Sequence, residues 1–488
     1  MDWLDRIDWW GRNSPRTVAH RSGKDALTFG ELLARSDALA SHLRRTLPAD
    51  RSPLVVMGHK QPEMLIGFLG SIKAGHPYVP VESSVPPHRV DQIVSAASAS
   101  LILTPSDIAH LSDESDVVPR VRLAPSDPYY VMFTSGSTGE PKGVVVTAGC
   151  LSSFLAWMMG EHTFVDGRET FLNQVPFSFD VSVMDLYPSL MTGGTHLSLT
   201  NEEFADPKRL HYTLARSNAT IWVSTPTFAQ MCLAERTFSS ERLPLLRRFI
   251  FCGETLAPDI ASELLDRFPQ AEVWNTYGPT ETTVATTSLR IDRDILARYS
   301  PLPVGYPMPG SSILVSDVDA PGQPAAPDQQ GEIVIAGPTV SAGYIGRPDL
   351  TDRAFFSLDG QRAYRTGDAG HYDGRLLFCD GRLDAQIKLH GYRIELGDVE
   401  ANLRAVPGVR DAIVVPVGAE GRVDSLAAFV VLAERPPGSD FDISRLLRTQ
   451  LGERVPSYML PRRFLLLDAF PMNINGKADR RRLTEMLK

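Results

Sequence analysis

The chain has few of the residues that mark disulfide-rich, metal-binding or membrane proteins. Its 488 residues include four cysteines, Cys150, Cys232, Cys252 and Cys379, and none of them has the CxxC spacing of a zinc or redox site. No segment approaches the ~20 consecutive apolar residues of a membrane helix. The N-terminus has acids and tryptophans where a signal peptide would have a basic start and an apolar run. We therefore expect a reduced, cytoplasmic protein without a membrane partner.

Lysine is scarce among the basic residues. The formal net charge is −9, which argues against a general nucleic-acid-binding surface. Only eight of the 49 basic residues are lysines, so Lys142, Lys388 and Lys477 stand out as isolated amino groups. Hydrophobic residues make up 43% of the chain and charged residues 22%, as in an ordinary globular protein. The length leaves room for two or three domains.

Helical and strand patterns alternate through the N-terminal part of the chain. Residues 32–43 have the period of an amphipathic helix, and residues 64–72 have the pattern of a buried helix. The alternation predicts an α/β fold with mostly parallel sheets. From about residue 311, short apolar runs separated by Gly, Pro and Asp predict a small β-rich subdomain. The segment after about residue 383 has a mixed α+β pattern.

Residues 134–143 are the most informative segment and read TSGSTGEPKG. Apolar runs at residues 130–133 and 144–146 indicate that two strands flank this loop. Glycines allow close approach of backbone N–H groups, hydroxyls add donors, and Lys142 adds a positive charge, all of which suit a polyphosphate. The segment is not a Walker A motif, because its lysine precedes a glycine and a strand. A Gly/Ser-rich surface hairpin is the alternative interpretation.

Five further segments change the interpretation of this loop. They are FSFDVSVMD (177–185), NTYGPTE (275–281), YRTGD (364–368), GRLDAQIKLHGYRIE (381–395) and NGKADR (475–480). In this order and at these separations, the six segments resemble the adenylate-forming superfamily of acyl-CoA synthetases, luciferases and peptide-synthetase adenylation domains. The runs at residues 176–194, 223–233, 251–254 and 274–285 are most similar to the D-alanine–carrier protein ligases within that superfamily.

The resemblance implies two ATP-binding runs. The first is the glycine-rich loop, with Thr134, Ser135, Gly136, Ser137, Thr138, Gly139 and Lys142. The second consists of Asn275, Thr276, Tyr277, Gly278, Pro279 and Thr280. The resemblance further implies that Tyr277 stacks on adenine, Asp368 binds both ribose hydroxyls, Arg382 reaches the ribose or a phosphate, and Glu281 ligates Mg²⁺. Without the resemblance, Asp368 could equally be an Asx-turn residue in a Thr-Gly-Asp turn.

An amino-acid pocket is the next implication. Asp180 lies in an apolar stretch, where a carboxylate is costly unless it is paired, although a helix N-cap is an alternative role. The resemblance assigns Asp180 to the substrate's α-ammonium, a contact that separates amino acids from fatty or aryl acids. The implied substrate-binding set is Asp180, Val181, Met184, Cys252, Thr276, Val284 and Lys477. Ordinary core packing is the alternative for Met184, Cys252 and Val284, and the set implies alanine or a similarly small amino acid.

Lys477 follows the tight turn at Asn475-Gly476, and a solvated surface lysine is its ordinary interpretation. The resemblance implies instead that Lys477 is catalytic, contacts both ATP and the amino acid, and stabilises the transition-state charge. It also implies an adenylation core over residues 1–382, a hinge over residues 383–386 centred on Asp384, and a mobile C-terminal domain over residues 387–488. In that domain, Gly391 matches the tunnel for the thiol.

These expectations define a reaction and its partners. The resemblance implies adenylation of alanine, with the D-enantiomer favoured, and transfer to the phosphopantetheine thiol of a separate carrier protein, with a role in teichoic acid decoration. Asp424-Ser425-Leu426 resembles a phosphopantetheine attachment triplet, but it runs into an apolar strand pattern. The arginine-rich composition keeps an enzyme that loads L-alanine or another small amino acid in natural-product biosynthesis as an alternative. An acyl- or aryl-CoA synthetase is a more distant alternative, against which Asp180 argues.

Overall fold

The computed structural model describes residues 2–111, 118–136, 139–319, 322–326, 328–384, 386–389, 391–418, 423–472 and 478–487. The chain divides into two compact units. The first unit consists of residues 1–83, 97–132 and 144–383, and the second of residues 84–96, 133–143 and 384–488. The second unit therefore contains two segments from the N-terminal part of the sequence, one of which is the glycine-rich loop.

The α-helices of the described chain are, in order, α1 (Trp3–Asn13), α2 (Phe29–Thr46), α3 (Pro62–Ala74), α4 (Pro87–Ala97), α5 (Pro105–Leu111), α6 (Ala148–His162), α7 (Val183–Met191), α8 (Asn201–Ala205), α9 (Pro207–Arg216), α10 (Pro226–Leu233), α11 (Pro258–Arg267), α12 (Arg293–Arg298), α13 (Pro348–Ala354), α14 (Leu396–Arg404), α15 (Asp440–Gly452) and α16 (Arg480–Glu485). Residues that favour helix starts and helix ends lie at several of these boundaries. Thr28 caps α2 through a capping box with Glu31, and Gly75 ends α3 in the left-handed conformation.

The strands are β1 (Val18–Ser22), β2 (Asp25–Thr28), β3 (Leu54–Gly58), β4 (Tyr78–Glu82), β5 (Leu101–Leu103), β6 (Pro128–Thr134), β7 (Lys142–Thr147), β8 (Thr170–Asn173), β9 (Thr195–Ser198), β10 (Ile221–Ser224), β11 (Arg248–Phe251), β12 (Glu272–Tyr277), β13 (Thr287–Ile291), β14 (Tyr306–Pro307), β15 (Ser312–Ser316), β16 (Gly331–Ala336), β17 (Phe355–Leu358), β18 (Gln361–Tyr372), β19 (Leu377–Arg382), β20 (Gln386–Leu389), β21 (Tyr392–Glu395), β22 (Val409–Val417), β23 (Ser425–Leu432) and β24 (Arg463–Leu466). Residues 130–133 and 144–146 lie in β6 and β7, so the predicted strands on either side of the glycine-rich loop are confirmed.

The first unit contains three sheets. A nine-stranded sheet has the order β14-β13-β12-β11-β10-β8-β9-β1-β2, and its central strands from β12 to β1 are parallel. A five-stranded sheet has the order β5-β3-β4-β6-β7, and β5, β3, β4 and β6 are parallel. The third sheet, β15-β16-β18-β17 with β19 beside β18, is antiparallel. The predicted α/β fold with a β-rich subdomain is confirmed.

The nine-stranded sheet is buried on both faces. In β10, Ile221 and Val223 pack in one hydrophobic cluster, whereas Trp222 between them packs in another. This alternation places the two clusters on opposite faces of the sheet, since successive side chains of a strand point to opposite sides. Burial on both faces explains why consecutive residues of β10 and β11, such as Ile221-Trp222-Val223 and Phe249-Ile250-Phe251, are apolar.

The second unit has its own core around a three-stranded sheet. β22 pairs antiparallel with β23, and β23 pairs parallel with β24, while β20 and β21 form a separate hairpin. Val414, Leu426 and Leu447 belong to one buried cluster beneath α14 and α15. Leu426 lies inside β23, so the predicted strand at the Asp424-Ser425-Leu426 triplet is confirmed. The predicted α+β segment is confirmed as well.

Candidate active site

The predicted pocket segments follow the carboxyl ends of parallel strands in the nine-stranded sheet. β8 ends at Asn173, β11 at Phe251 and β12 at Tyr277. Because parallel strands end at the same edge of a sheet, the segments that follow them lie side by side there. Asp180 lies in the segment after β8, and Cys252 directly follows β11. Ligand sites of open α/β sheets occur at such edges.

Asp180 begins a short 3₁₀ helix, Asp180–Ser182, which leads into α7. The residue is 8% exposed, and Val181 and Met184 are buried after it. Among the residues that the structure describes, no side chain caps this 3₁₀ helix or α7, so the helix-cap interpretation of Asp180 is wrong. A carboxylate buried in this way requires donors or a cation for balance, and a substrate ammonium supplies both.

Cys252 contacts the segment that follows β12. Its Sγ lies 3.7 Å from the carbonyl oxygen of Val284, and both residues are about 1% exposed. A Cβ added to Gly253 would lie 3.6 Å from Cγ2 of Val181, so the residues next to Asp180 and next to Cys252 are neighbours. Three segments from distant parts of the sequence thus form one small, largely apolar wall beside Asp180.

Thr283 and Val284 have backbone conformations that could not be predicted from the sequence. Their φ angles are +60° and +71°, in the left-handed region that β-branched residues rarely adopt. The Ala285 N–H donates to the Thr283 carbonyl at 2.9 Å, which closes a strained γ-turn on Val284. Thr283 Oγ1 donates to the Thr339 carbonyl at 2.7 Å and holds the turn. Such strain persists only where the surroundings impose it, and functional sites are where it concentrates.

The two residues that lead into this turn are fixed by close contacts. Asn275 Nδ2 donates to the Pro303 carbonyl at 2.9 Å, and Thr276 Oγ1 donates to the Phe251 carbonyl at 2.7 Å. A Cβ on Gly278 would lie 2.6 Å from Cα of Ala285. Only glycine therefore fits where the backbone passes this turn.

Tyr277 and Asp368, which are buried, form a polar triad with the half-buried Arg382. The Tyr277 hydroxyl donates to Asp368 Oδ2 at 2.6 Å, and Arg382 Nη1 donates to Asp368 Oδ1 at 2.8 Å. Burial and the adjacent Asp368 raise the pKa of Tyr277 well above its usual range, so its hydroxyl stays protonated. Both carboxylate oxygens of Asp368 are held in place, which makes the carboxylate a rigid acceptor for hydroxyl donors such as those of a ribose.

Asp368 is presented by a β-bulge, and the expected Thr-Gly-Asp turn is wrong. The residues lie inside β18, where Thr366, Gly367 and Asp368 face the single residue Ile333 of β16. Gly367 has a φ of +68°, as the glycine of such a bulge requires. Thr366 Oγ1 donates to the Ile333 carbonyl at 2.7 Å and closes the bulge. A bulge aims a side chain out of the regular ladder, which is the role it has for Asp368.

Glu281 lies in the 3₁₀ helix Thr280–Thr282, for which Pro279 is the preceding cap residue. It is fully buried, and the Tyr344 hydroxyl donates to its Oε1 at 2.7 Å. Tyr344 also lies 3.3 Å, between hydroxyl oxygens, from Tyr364. In the described residues no cluster of three or more His, Cys, Asp or Glu side chains is placed to hold a metal ion. The predicted role of Glu281 as a Mg²⁺ ligand would need phosphate oxygens and water as the other ligands, and it stays a prediction.

The glycine-rich loop belongs to the second unit, and its described residues contact the C-terminal segment there. Ser135 Oγ donates to the Arg393 carbonyl at 2.9 Å and accepts from the Glu395 N–H at 3.0 Å. Arg89 Nη1 donates to the Gly139 carbonyl at 3.0 Å. Lys142 Nζ lies 3.8 Å from Glu395 Oε1. Thr134 ends β6, Gly136 follows Ser135, and Ser137 and Thr138 lie outside the described residues.

Asp384 and Gly391 belong to the second unit as well. Asp384 is exposed, and its Oδ1 accepts from the Gln386 N–H at 3.0 Å. Gly391 has a φ of +84° in the connection between β20 and β21, a conformation that favours glycine. Lys477 lies outside the described residues.

Sequence reasoning missed three residues of these sites. Tyr344 positions Glu281, and Arg89 pairs with Asp398 at 2.7 Å beside the loop. Tyr130 is fully buried near Asp180, and within the described chain its hydroxyl has no hydrogen-bond partner. Burial and the Asp180 charge raise the pKa of Tyr130 well above its usual range. None of the three lies in a motif, so only their three-dimensional contacts identify them.

Comparison with known proteins gives the family. The AMP-binding enzyme family matches residues 7–345, and the AMP-binding enzyme C-terminal domain matches residues 398–477. The chain is 43% identical over 501 residues to a D-alanine–D-alanyl carrier protein ligase of Bacillus mycoides, with 99% of each chain covered.

Solved structures show the same fold. The Vibrio cholerae adenylation domain AlmE in complex with glycyl-adenosine-5'-phosphate is similar with a TM-score of 0.85 and 21% identity, over 100% of this chain and 97% of that one. An artificially fused adenylation–PCP di-domain, NpsA-ThdA of Klebsiella oxytoca, has a TM-score of 0.81 and 25% identity over 95% and 93% of the two chains. With the two family matches and the full-length relative, the chain belongs to the AMP-binding enzymes.

Proposed function

We propose that the protein activates a small amino acid with ATP, foremost D-alanine, and transfers it to the phosphopantetheine thiol of a separate carrier protein. The observation that carries this proposal is the buried Asp180 carboxylate beside the wall formed by Cys252 and Val284. The carboxylate suits an α-ammonium, and the buried apolar wall suits a small apolar side chain such as the methyl group of alanine. The name of the Bacillus mycoides relative supports the same substrate and acceptor.

In the first step, a carboxylate oxygen of the amino acid attacks the α-phosphorus of ATP, and pyrophosphate leaves. Tyr277 would stack on the base, Asp368 would accept from the ribose hydroxyls, and Arg382 would keep Asp368 oriented. Glu281 would hold Mg²⁺, which neutralises phosphate charge when it is bound. Lys477 is the proposed catalytic residue, because a lysine stabilises the negative charge that spreads over the transferring oxygens.

In the second step, the carrier's thiol attacks the carbonyl carbon of the adenylate. The thioester forms, AMP leaves and the thiol proton is lost to water. We propose that residues 387–488 rotate about Asp384 between the two steps, and that Gly391 then lines the path of the thiol. Hinges of this kind are a few residues near the ends of elements that absorb large φ/ψ changes.

The proposed setting is the cytoplasm, where ATP is available, and the proposed use of the product is decoration of teichoic acids. No helix among the described residues is long and apolar enough to span a membrane. The alternative use, loading of L-alanine in natural-product biosynthesis, needs the same residues and differs only in the shape of the pocket.

The test is ATP–pyrophosphate exchange with a panel of D- and L-amino acids, followed by transfer to a holo-carrier protein. We expect the highest exchange with D-alanine, and thioester formation only with a carrier that has its phosphopantetheine arm. Preference for L-alanine would overturn the stereochemical assignment. Preference for an acid without an amino group would overturn the proposed function.

A further inference from the structure

A cluster of buried polar side chains lies behind the segment that carries Asp180, in the first unit. Its members are at most 1% exposed, and we call them the Lys60 cluster: His20, Lys60, Asn173, Asp185, His196 and Ser198. None of them belongs to the predicted binding sets. A lysine, an aspartate and two histidines without access to water are costly to bury, so their arrangement requires an explanation.

Lys60 is fastened to the main chain at the carboxyl end of β8. Its ammonium donates to the Gln174 carbonyl at 2.7 Å and to the Asn173 carbonyl at 3.3 Å. Asn173 is the last residue of β8, and Gln174 is the first residue of the segment that leads to Asp180. The lysine therefore fixes the point at which that segment leaves the sheet.

Asp185 fastens the other end of the same segment. It lies in α7, directly after Met184, and is fully buried. Asn173 Nδ2 donates to Asp185 Oδ2 at 3.0 Å, and His196 Nε2 lies 3.0 Å from Asp185 Oδ1. The end of β8 and the start of α7 are thus joined through Asn173.

The cluster extends to the ring of Phe177, in the middle of the segment. Phe177 stacks on His196 with ring centroids 5.8 Å apart and an interplanar angle of 24°. Ser198 Oγ donates to Asn173 Oδ1 at 3.2 Å and lies 3.0 Å from His20 Nε2. Residues 174–184 are consequently held at their start, their middle and their end.

The electrostatics agree with this geometry. Burial lowers the pKa of Lys60 to about 7, although the negative charge of Asp185 raises it in part. Burial and the Lys60 charge lower the pKa of His196 to about 3, so that ring is neutral. Burial raises the pKa of Asp185 well above its usual range. These shifts follow from the complete burial of the groups, which the hydrogen bonds between them offset.

We propose that Lys60 and Asp185 are positioning residues for the amino acid: they hold residues 174–184 so that the Asp180 carboxylate meets the substrate's α-ammonium. This inference rests on the proposed function of Asp180. Neither residue touches the substrate. Their effect is on amino-acid binding and not on the ATP site, which is built from β12 and β18.

The chain offers a matched control in a second buried lysine. Lys73 is fully buried at the end of α3, and its ammonium lies 2.6 Å from Asp37 and 3.0 Å from Asp8. These partners belong to α2 and α1. Replacement of Lys73 by methionine removes a buried charge of the same kind without touching the segment that carries Asp180.

The experiment measures ATP–pyrophosphate exchange by wild type, Lys60→Met, Asp185→Asn and Lys73→Met, with thermal unfolding of each. We expect the KM for D-alanine to rise about tenfold in the first two variants, because a displaced Asp180 loses most of its charge-assisted contact with the α-ammonium. Their KM for ATP should stay within about twofold, and both KM values should stay within about twofold in Lys73→Met. Lys60→Gln, which keeps an N–H donor, should recover part of the D-alanine KM and remains informative if Lys60→Met does not fold.

If the Lys60 and Lys73 variants had equal KM values for D-alanine, the inference would be wrong. Amino-acid-dependent exchange by wild type would still support the proposed function. Equal increases in the KM for D-alanine and for ATP would also overturn the inference, since they would indicate a general loss of structure. If wild type showed no amino-acid-dependent exchange, the proposed function would be wrong. The inference, which rests on that function, would then be wrong as well.

Discussion

The Tyr277 hydroxyl donates a 2.6 Å hydrogen bond to Oδ2 of Asp368. This contact joins the end of β12, in the nine-stranded sheet, to the bulge of β18, in the antiparallel sheet of the first unit. Arg382 occupies the other carboxylate oxygen at 2.8 Å. The groups proposed for the base and the ribose of ATP are therefore connected directly by hydrogen bonds.

Loss of this hydroxyl should weaken ATP binding and leave the amino acid unaffected. Tyr277→Phe keeps the ring that we propose stacks on the base, but Asp368 loses one of its donors. A hydrogen bond to a charged group contributes about 1.5–3 kcal/mol, so the KM for ATP should rise at least about tenfold. Exchange assays with varied ATP and with varied D-alanine separate the two effects.

Tyr299→Phe is the matched control, because Tyr299 is a second tyrosine of the same unit whose pKa is raised by an aspartate, Asp373. It should leave the KM for ATP unchanged. An unchanged KM for ATP in Tyr277→Phe would show that this hydrogen bond does not position the ribose site.

The strained turn at Val284 predicts an unusual order of stability among small substitutions. Glycine adopts a φ near +71° without strain, whereas alanine keeps the penalty. Val284→Gly should therefore be more stable than Val284→Ala by about 1 kcal/mol in urea unfolding, although it removes more side chain. Both variants widen the wall beside Cys252 and should accept larger amino acids in the exchange assay. If the alanine variant were the more stable, the turn would not be strained in solution.

The sequence predicts the elements of this site well because they are local. The alternation of helices and strands, the strands beside the glycine-rich loop and the β-rich subdomain all follow from periodicity and turn residues. The backbone conformation at Asp368 could not be predicted in this way. Its Thr-Gly-Asp triplet reads as a turn, but pairing of β18 with β16 turns it into a bulge, and pairing between strands is not visible in a single segment.

The ion pair between Asp398 and Arg89 in the second unit predicts how the stability of a double variant compares with that of the two single variants. They form an ion pair of 2.7 Å with side chains 0% and 6% exposed. Loss of one partner leaves a buried charge, so Arg89→Met and Asp398→Leu should each lower the free energy of unfolding by about 3–5 kcal/mol. The double variant should be less destabilised than either single variant, because no unpaired charge is left. Chemical unfolding measures all three, and strictly additive losses would contradict the pairing.

Lys60 predicts a pH dependence of stability. Its pKa is lowered from 10.5 to about 7 by burial, against the opposing attraction of Asp185, Glu82 and Glu203. Above pH 7 the unfolded chain therefore binds a proton that the folded chain has lost, and stability rises with pH. Between pH 7 and 9 the free energy of unfolding should rise by about 2 kcal/mol more in wild type than in Lys60→Met.

Urea unfolding at pH 7, 8 and 9 tests this difference. The neighbouring rings His20 and His196 have lowered pKa values and are already neutral in this range, so they do not contribute. Parallel pH profiles for wild type and Lys60→Met would mean that Lys60 keeps an ordinary pKa.

The Lys60 cluster could not have been predicted from the sequence. Its members come from β1, β8, β9, α7 and the turn before α3, and each is an unremarkable polar residue in its own segment. Only the parallel order of β8, β9 and β1 brings them together. Lys477, by contrast, is predicted from its motif alone.

The most direct test of the central claim compares D-alanine with propionate, which lacks only the amino group. The measurement is substrate-dependent ATP–pyrophosphate exchange by wild type and by Asp180→Asn. We predict that wild type uses D-alanine far better than propionate, and that Asp180→Asn loses about a hundredfold in exchange with D-alanine, as expected when one partner of a buried charge pair is neutralised. Exchange with D-alanine that is unchanged in Asp180→Asn, or wild type that uses both acids equally, would contradict the account.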